Sequence, residues 1–545
     1  MTDSNLIACL YPLDDKPGLD NALRTVRSAE NSSRCFEPLI QDRSRQSSPA
    51  PGDHSGEGSD KGSEAGSHEG TDDEGSDESD DESDDDTDAG NDYSPGLQLR
   101  FDDWRKNQVG FVFGTSPSCD IVLPRRDSLK GLPSRQCALT FDDQGRLVVR
   151  DLQDRNKGKG GTAVNYGAQG GQKRRSFSWI VSCHTFTTEN TPIVLVLHKN
   201  LKFQLVVARH DIGSAEYQQN VAQFASRVSA HVDDLRVSFG GLGLRSPDST
   251  AGPSADAVLL NNGELGRGGQ AVVVRVWDVS TGLDYASKEP LTQKSQGRLK
   301  GEVELLRQVH HDHIVQCLPG LSTTAPVPRL LLECFPLGSV DDQDNKKAFS
   351  AEETLQVLHQ SLSALRYLHE RKSPIVHRDI KPNNILVHSR TPHLHIKLSD
   401  FGFAKASKDN MRTNCGTRSY MAPEMFKREA YNAAVDIWSL GVVVYELAHG
   451  LPSRDRERGF DGFQWTEKIV RSVESKAEKS DCYLLIFLSR TMLVKDPELR
   501  HSARRCSELA RYLDVSSFCC STILRPSPGD SHTSSYEYYY YDDES

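Results

Sequence analysis

Residues 46–95 consist almost entirely of Ser, Gly, Asp and Glu, so they have almost no apolar surface to bury in a core. Between Asp53 and Asp92 there are eighteen acidic residues and one lysine, which outweighs the net charge of −12 of the whole chain. Such a segment cannot offset the entropy that is lost on ordering, and we expect it to be disordered. Residues 1–45 contain an apolar stretch, Leu6 to Leu10, and could pack on a domain that the sequence does not identify.

Charge and cysteine content exclude several classes of protein. Outside the acidic segment the charge is nearly balanced, which gives no reason to expect a nucleic-acid partner. We expect neither a membrane span nor a secretory signal, because no run of about 18 apolar residues occurs. The twelve cysteines include no CxxC pair and are not spaced like a disulfide framework. These features predict an intracellular protein of the cytoplasm or the nucleus, without a membrane partner.

Residues 96–208 alternate short β-type segments with Gly-rich turns and show no helical periodicity. This pattern is typical of an all-β sandwich or barrel. The segments expected to be strands are Leu97–Phe101, Val109–Phe113, Ile121–Leu123, Ala138–Phe141, Leu147–Val149, Trp179–Val181, Ile193–Leu197 and Phe203–Val207. Residues 209–257 have the composition of a linker and contain one possible short helix, near Gln218–Val228.

A longer α/β region, 258–513, begins with a glycine-rich turn between two strand-like runs, and residues 514–545 beyond it are expected to be a disordered tail. Gly266, Gly268 and Gly269 lie in the turn, where the absence of a Cβ lets backbone amides approach phosphate oxygens closely. No Gly-Lys-Ser/Thr follows, so the turn is not a Walker A loop.

An amphipathic helix is predicted over Gln296–Val309, after a strand-like run that contains Lys288. Glu302 lies at the edge of the apolar face of this helix. It could reach Lys288, as in the ion pair that directs a lysine to ATP phosphates, or it could be an ordinary surface residue.

The second half of the region carries polar motifs in a fixed order. They are His377-Arg-Asp-Ile-Lys-Pro-Asn-Asn384, Asp400-Phe-Gly402, Ala422-Pro-Glu424, Asp436-Ile-Trp-Ser-Leu-Gly441 and Asp496-Pro-Glu-Leu-Arg500. Asp379 could accept a proton from a hydroxyl group, and Asn384 and Asp400 offer hard oxygen ligands for magnesium. Together these groups suit phosphoryl transfer, in which positioning and charge neutralisation supply most of the catalysis.

With these motifs in this order, residues 258–513 resemble the eukaryotic protein kinase family. The resemblance implies a two-lobed α+β domain that binds ATP and Mg²⁺ in the cleft between the lobes. It implies catalytic roles for Asp379, Lys381, Asn384 and Asp400, with Asn384 and Asp400 as the magnesium ligands. The residues that it implies for ATP binding are Leu265, Gly266, Arg267, Gly268, Gly269, Gln270, Ala271, Val272, Val273, Lys288, Glu302, Glu333 and Phe335, the last two through the backbone of the hinge.

Two residues resemble the serine/threonine form of the family rather than the tyrosine form, namely Lys381 and Thr417. Protein Ser and Thr hydroxyls are therefore the expected acceptors, and protein substrates the expected partners. Ala271 departs from the family's third loop glycine, and we expect a modest effect on ATP affinity. An active enzyme is favoured because the family's key residues are all present, namely Lys288, Glu302, Asp379, Asn384 and Asp400. The alternative is a catalytically weak scaffold that mainly binds phosphoproteins.

A regulatory site is predicted in the segment between Gly402 and Glu424. Arg378 directly precedes the catalytic aspartate, and we expect it to be a buried positive charge that needs an anion opposite it. Thr413 resembles the position of the activating phosphothreonine in related Ser/Thr kinases. A phosphate there adds a charge of about −1.5 to −2, which could pair with Arg378 and order the segment.

Four pieces of the β region resemble the forkhead-associated (FHA) domain: Phe113-Gly-Thr-Ser, Cys119-Asp-Ile-Val-Leu123, Pro133-Ser-Arg135 and Gly161-Thr-Ala-Val-Asn165. The resemblance implies a β-sandwich whose loops bind phosphothreonine proteins, with Ser134 and Arg135 as candidate binding residues. The overall layout is similar to that of FHA-bearing checkpoint kinases. Thr115, Cys137 and Gly160 replace a phosphate-binding Arg, a structural His and a peptide-orienting Asn of the family. Phosphopeptide binding and a purely structural or docking role therefore both remain open.

Overall fold

The computed structural model describes residues 3–13, 18–37, 95–155, 160–182, 191–226, 253–254, 256–318, 329–406, 416–427, 430–453 and 461–518. These residues belong to two compact units, one comprising Met1–Phe177 and Val181–Leu235 and the other comprising Ser178–Ile180 and Arg236–Ser545. The acidic segment up to residue 94 and the tail from residue 519 lie outside the described residues, so the disorder expected there stays a prediction. Thr413 also lies outside them, and its regulatory role stays a prediction.

The first unit is rich in short strands arranged in two sheets. Its elements are β1 (Leu6–Pro12), α1 (Leu19–Val26), β2 (Cys35–Phe36), β3 (Gly96–Arg100), β4 (Phe111–Gly114), β5 (Ile121–Val122), β6 (Cys137–Phe141), β7 (Leu147–Asp151), β8 (Ala163–Tyr166) and β9 (Gln169–Gly170). The first unit continues with β11 (Ile193–His198), β12 (Leu201–Val207) and α2 (Ala215–Ser226); β10 (Ser178–Ile180), which precedes them in the chain, falls in the second unit. One sheet has the order β2-β3-β1-β12-β11-β8-β9, and the other includes the run β7-β6-β4-β5. The expected all-β domain is confirmed.

Strand β1 lies inside the larger sheet, although the sequence left residues 1–45 unassigned. Leu10 pairs with Leu97 of β3 on one side and with Leu205 of β12 on the other. Leu10 is fully buried, as are both of its partners to within a few per cent. The apolar stretch noted in the sequence is therefore part of the core of the first unit.

Helix α2 also packs in the first unit, so the linker expected over 209–257 begins later than the composition indicated. The Phe224 ring lies 5.2 Å from the Phe141 ring, and the Tyr217 ring lies 5.9 Å from the Phe101 ring. These two aromatic residues are seven positions apart, so they lie on one face of the helix and pack into the sandwich.

The second unit has two lobes. The small lobe contains β13 (Leu259–Arg267), β14 (Ala271–Asp278), β15 (Asp284–Pro290), α3 (Gln293–Leu306) and β16 (Leu330–Glu333). The larger lobe contains α4 (Val340–Lys346), α5 (Ala351–His369), β17 (Ile375–Val376), β18 (Ile385–Ser389), β19 (His395–Leu398), β20 (Lys405–Ala406), α6 (Pro423–Phe426), α7 (Ala434–His449), α8 (Gly462–Lys479), α9 (Tyr483–Phe487) and α10 (Ala503–Ala510). The four strands of the small lobe form an antiparallel sheet in sequence order, and the expected two-lobed α+β domain is confirmed.

Capping residues explain where two of the helices begin. Thr292 and Ser295 form a capping box, so α3 begins at Gln293, three residues before its predicted start. Ser350 and Glu353 cap α5 in the same way. The apolar stripe of α5 is buried and packs in the core of the larger lobe. No helix in the described part of the chain is long and apolar enough to cross a membrane.

Candidate active site

Lys288 on β15 contacts two carboxylates that come from different parts of the chain. Its Nζ lies 2.9 and 2.8 Å from the two carboxylate oxygens of Glu302 on α3, and 2.7 Å from Oδ1 of Asp400. Only 2% of the Glu302 side chain and 13% of the Lys288 side chain are exposed. The sequence left open whether Glu302 reaches Lys288 or lies on the surface. In the structure it is buried and contacts Lys288.

Burial and the contact between Lys288, Glu302 and Asp400 shift the pKa of each of these three groups. Burial raises the pKa of the Glu302 carboxyl, and the neighbouring Lys288 opposes that shift. Burial would also raise the pKa of Asp400, but the Lys288 ammonium lowers it to well below its usual range. Burial disfavours the Lys288 ammonium, yet Asp400 and Glu302 raise its pKa. Asp400 is therefore ionised and Lys288 is charged at neutral pH.

Asp379 is held by three neighbours that fix the direction of its carboxylate. Asn384 donates from Nδ2 to the backbone oxygen of Asp379 at 2.8 Å and to Oδ2 at 2.9 Å. Thr417 donates to Oδ1 from its backbone nitrogen at 2.9 Å and from Oγ1 at 3.0 Å. Lys381 Nζ lies 3.0 Å from Oδ2 and donates to Thr417 Oγ1 at 2.8 Å. The structure thus brings together three of the four residues expected to be catalytic.

The backbone of the loop that carries Asp379 is hydrogen-bonded to Asp436, a buried residue in the first turn of α7. Asp436 accepts hydrogen bonds from the backbone nitrogens of His377 and Arg378 at 2.9 and 2.8 Å, and its Oδ2 lies 2.8 Å from Nε2 of His369. Burial would raise the pKa of the Asp436 carboxyl, but the contact with His369 lowers it. The sequence motif included Asp436 without assigning it a role; its signal was a lone carboxylate that opens an apolar helix.

Arg378, the predicted regulatory residue, has a left-handed backbone with φ of 70°. Its Nε donates to the backbone oxygen of Phe403 at 2.6 Å, and its Nη1 donates to the hydroxyl of Tyr431 at 3.2 Å. Arg378 therefore contacts the beginning of the activation segment just after the Asp400 motif. Thr413 lies outside the described residues, so its pairing with Arg378 stays a prediction.

The glycine-rich segment forms the turn between β13 and β14. Gly268 N donates to the backbone oxygen of Ala271 at 2.9 Å, which closes the turn. Gly266 pairs with Val273 and Arg267 with Val272 across the two strands. A Cβ added to Gly266 would meet no atom within 4 Å, so none of the residues that the structure describes fills the space beside it. Leu265 is 48% exposed on the same strand.

Asn384 and Asp400 offer hard oxygen ligands beside Asp379 and Lys288. Because Asn384 uses its amide nitrogen for Asp379, its amide oxygen is left as an acceptor among the described contacts. Asp400 adds an ionised carboxylate, and this donor chemistry suits Mg²⁺. Elsewhere in the described ranges, no group of three or more His, Cys, Asp or Glu side chains is arranged to hold a metal ion.

In the first unit, the loops that carry Thr115 and Ser134 lie side by side. Thr115 N donates to the backbone oxygen of Pro133, and Ser116 N donates to that of Ser134, both at 3.1 Å. Cys137, in place of the expected structural His, is fully buried on β6, and burial raises the pKa of its thiol. At Gly160, Arg175 Nε donates to the backbone oxygen at 3.2 Å. Whether Ser134 and Arg135 bind a phosphate stays a prediction.

Comparison with known proteins found a family model and several relatives that match part of the second unit. Residues 260–510 match the family described as the protein kinase domain. Myosin light chain kinase A of Dictyostelium discoideum is 36% identical over 196 residues, which are 35% of this chain and 65% of that protein. Human serine/threonine-protein kinase H1 is 36% identical over 202 residues, 36% of this chain and 47% of its own length. Human calcium/calmodulin-dependent protein kinase type IV is 34% identical over 199 residues, 36% of this chain and 41% of that protein.

The chain covers less than two thirds of the length of each of these three relatives. Among solved structures, the chain is similar to the crystal structure of Rad53 1–466 in complex with AMP-PNP. That match has a TM-score of 0.47 and 21% sequence identity, and it covers 74% of this chain and 92% of the other.

Proposed function

We propose that the chain is an ATP-dependent protein serine/threonine kinase, because residues 260–510 match the protein kinase domain family. The observation that supports the proposal best is the contact of Lys288 with both Glu302 and Asp400. This contact puts an ammonium group and an ionised carboxylate, from segments 112 residues apart, at one place beside the glycine-rich turn. A kinase-like scaffold without activity would have no need of a complete set of such groups.

In the proposed reaction, the hydroxyl oxygen of a protein Ser or Thr attacks the γ-phosphorus of ATP. The new O–P bond forms as the bond from the γ-phosphorus to the bridging β-oxygen breaks, so that ADP leaves with that oxygen. Asp379 accepts the hydroxyl proton, because its carboxylate is fixed in direction by Asn384 and Thr417. Lys381 balances negative charge beside Asp379, and Lys288 directs the phosphates.

Asn384 and Asp400 would hold magnesium, which when bound supplies charge neutralisation at the phosphate oxygens. The glycine-rich turn, from Leu265 to Val273, would cover the phosphates, and the backbone at Glu333 and Phe335 would contact the adenine. The Lys381–Thr417 hydrogen bond of 2.8 Å supports Ser and Thr as the acceptors, since these residues form the Ser/Thr version of the loop.

We also propose that the β-sandwich recruits phosphothreonine-containing proteins through Ser134 and Arg135. The hydrogen bonds between the loops of Thr115 and Ser134 support this proposal, because two adjoining loops form the kind of surface that holds a phosphorylated side chain. Action inside the cell, in the cytoplasm or nucleus, is part of the same proposal. The free thiols of the described cysteines agree with it.

The test is transfer of labelled γ-phosphate from ATP to a basic peptide mixture by the full-length chain, in the presence of magnesium. We expect incorporation on Ser and Thr by the wild type. Asp379→Asn should lose transfer by roughly 10²–10⁴-fold while retaining ATP binding, since the base is lost and the phosphate-binding groups are not. Equal and negligible transfer by both proteins, with intact binding of ATP, would instead indicate the scaffold.

A further inference from the structure

The side chain of Glu333, at the end of β16, is held by a lysine from the other lobe. Lys397 Nζ lies 2.9 Å from Oε1 and 2.7 Å from Oε2 of Glu333. The backbone nitrogen of Gln316 donates to the same Oε1 at 2.6 Å. Only about a tenth of either side chain is exposed, 11% for Lys397 and 12% for Glu333. The carboxylate is therefore fixed by three hydrogen bonds in a nearly buried position.

The three residues of this contact belong to three separate segments. Glu333 ends the last strand of the small-lobe sheet, next to the hinge. Lys397 lies on β19 of the larger lobe, three residues before Asp400. Gln316 lies in the segment that follows α3, and that segment is itself bound to β19: Val315 N donates to the Leu398 oxygen at 3.0 Å.

Stabilisation of the fold is not a sufficient explanation for such a pair. Burying two charges costs solvation energy, which their attraction often does no more than offset. The three hydrogen bonds do, however, fix the orientation of the Glu333 carboxylate. Because the Glu333 side chain is fixed, the peptide groups that follow it towards Phe335 start from a fixed orientation.

We propose that the Glu333–Lys397 ion pair is a positioning device for nucleotide binding. It holds the backbone of the hinge at the orientation that adenine requires, and it sets this backbone relative to β19, which leads to Asp400. Lys397 and the carboxylate of Glu333 act through the backbone and are positioning residues, not catalytic ones. The inference rests on the proposed kinase function and adds Lys397 to the residues that determine ATP affinity.

The test is a set of ATP titrations on the full-length chain, with peptide phosphorylation as one readout and equilibrium binding of a fluorescent ATP analogue as the other. Lys397→Met should raise the KM for ATP and the Kd for the analogue about tenfold, as expected for the loss of one charge-assisted contact. The kcat should stay within about twofold, because Asp379 and Lys288 are not touched. Lys397→Arg keeps the charge and should recover most of the affinity.

Arg390→Met is the matched control. Arg390 Nε lies 2.6 Å from Oε1 of Glu353 in a second ion pair of similar burial, away from β16. This control should lower stability without changing the KM for ATP. If Lys397→Met does not fold, Glu333→Gln decides, because it keeps the hydrogen-bond acceptor and removes the charge; we then expect a smaller rise in KM.

Three results would overturn the inference. One is an unchanged KM in Lys397→Met or, if that variant does not fold, in Glu333→Gln. Another is an equal rise in KM in Arg390→Met, and the third is higher activity in Lys397→Met, which would mean that the pair restrains the hinge. A wild type that does not bind the ATP analogue would contradict the proposed function as a whole, and that outcome is distinct from all three.

Discussion

Arg500 and Glu424 form a two-pronged ion pair with both side chains buried. Nη1 of Arg500 lies 2.6 Å from Oε1 of Glu424, and Nη2 lies 3.1 Å from Oε2. Nη1 also donates to the backbone oxygen of Ala434 at the start of α7, at 2.9 Å. The pair thus joins the residue that ends the Ala-Pro-Glu motif to the last of the sequence motifs and to the helix that carries Asp436.

Arg500→Met should strongly destabilise the protein, because Glu424 would be left as a buried charge without its partner. We expect a loss of about 3–5 kcal/mol in the free energy of unfolding, measured by urea denaturation. The control is Arg471→Met, which removes an ion pair to Glu467 in which both side chains are well exposed. That change should cost less than about 1 kcal/mol, and equal losses in the two variants would contradict the role given to burial.

Lys288→Met should lower phosphate transfer by roughly 10²–10³-fold, because the cation that faces the phosphates is removed from a site built to hold it. It also leaves the carboxylates of Glu302 and Asp400 without their shared partner. Initial rates at several ATP concentrations measure the effect. Lys300→Met, on the exposed side of the same helix as Glu302, should leave the rate unchanged. A Lys288→Met enzyme with near wild-type turnover would refute the assignment.

The free energy of unfolding of the second unit, which contains His311 and His395, should fall as the pH drops below about 6.5. Burial, and then the charge of His313, lowers the pKa of His311; burial, His313, His388 and Lys397 lower that of His395, while Asp312 opposes both shifts. The folded state therefore binds fewer protons than the unfolded state below the ordinary histidine pKa of 6.5. This contribution is complete above that pH and is lost as the pH falls towards the lowered values.

Urea denaturation between about pH 7.5 and pH 5.5 tests this dependence. A double variant, His311→Asn with His395→Asn, removes both titrating groups and should show a flatter pH profile than the wild type. Identical profiles would show that the two histidines do not contribute.

Phosphothreonine peptides should bind the full-length chain through Ser134 and Arg135. Replacing both residues with Ala should weaken binding at least tenfold, since each charge-assisted hydrogen bond is worth about 1.5–3 kcal/mol. Fluorescence titration with a labelled peptide library measures the affinity, and the unphosphorylated peptides are the control. Equal affinity for both sets of peptides would leave docking as the role of the sandwich. The full chain is needed because a fragment that begins at residue 95 lacks β1.

Phosphorylation of Thr413 should activate the enzyme by pairing with Arg378. Thr413→Ala should therefore leave ATP affinity nearly unchanged and lower peptide phosphorylation strongly. The activity of the Arg378→Gln variant should not change on phosphatase treatment, because this variant lacks the arginine that pairs with the phosphate. Full activity of Thr413→Ala, or a wild type that phosphatase does not affect, would contradict this switch.

Local sequence patterns predicted most of the longer strands and helices, but not β1, β2 or the short pair β8 and β9. In the hairpin of β11 and β12, the first strand is an apolar run, the second strand alternates apolar and polar residues over Leu201–Leu205, and the turn between them is short, all visible in one window of sequence. Leu10 of β1 has its partners at Leu97 and Leu205, so nothing near it in the sequence shows that it is a strand. Helix α2 escaped assignment to the sandwich for the same reason.

For the site, residue type and spacing indicated which side chains matter but not how they meet. The sequence allowed Glu302 either to contact Lys288 or to face solvent, because a side chain at the edge of the apolar face of a helix can point towards the core or towards water. The hydrogen bonds of Asp436 to the backbone of His377 and Arg378 could not be predicted, since they depend on a loop with a left-handed residue and on the position of α7 beneath it. The contact of Lys397 with Glu333 likewise requires both lobes to be in place.

The pairing of β2 with β3 has a consequence for proteolysis. Cys35 lies opposite Leu97 and Phe36 opposite Gly96, so the residues on either side of the acidic segment are held one strand spacing apart, about 5 Å. A protease that cuts within 38–94 would therefore not release an N-terminal fragment, because β1 and β2 stay hydrogen-bonded within the sheet. The nicked protein should migrate as a single particle under native conditions and separate into two polypeptides only after denaturation.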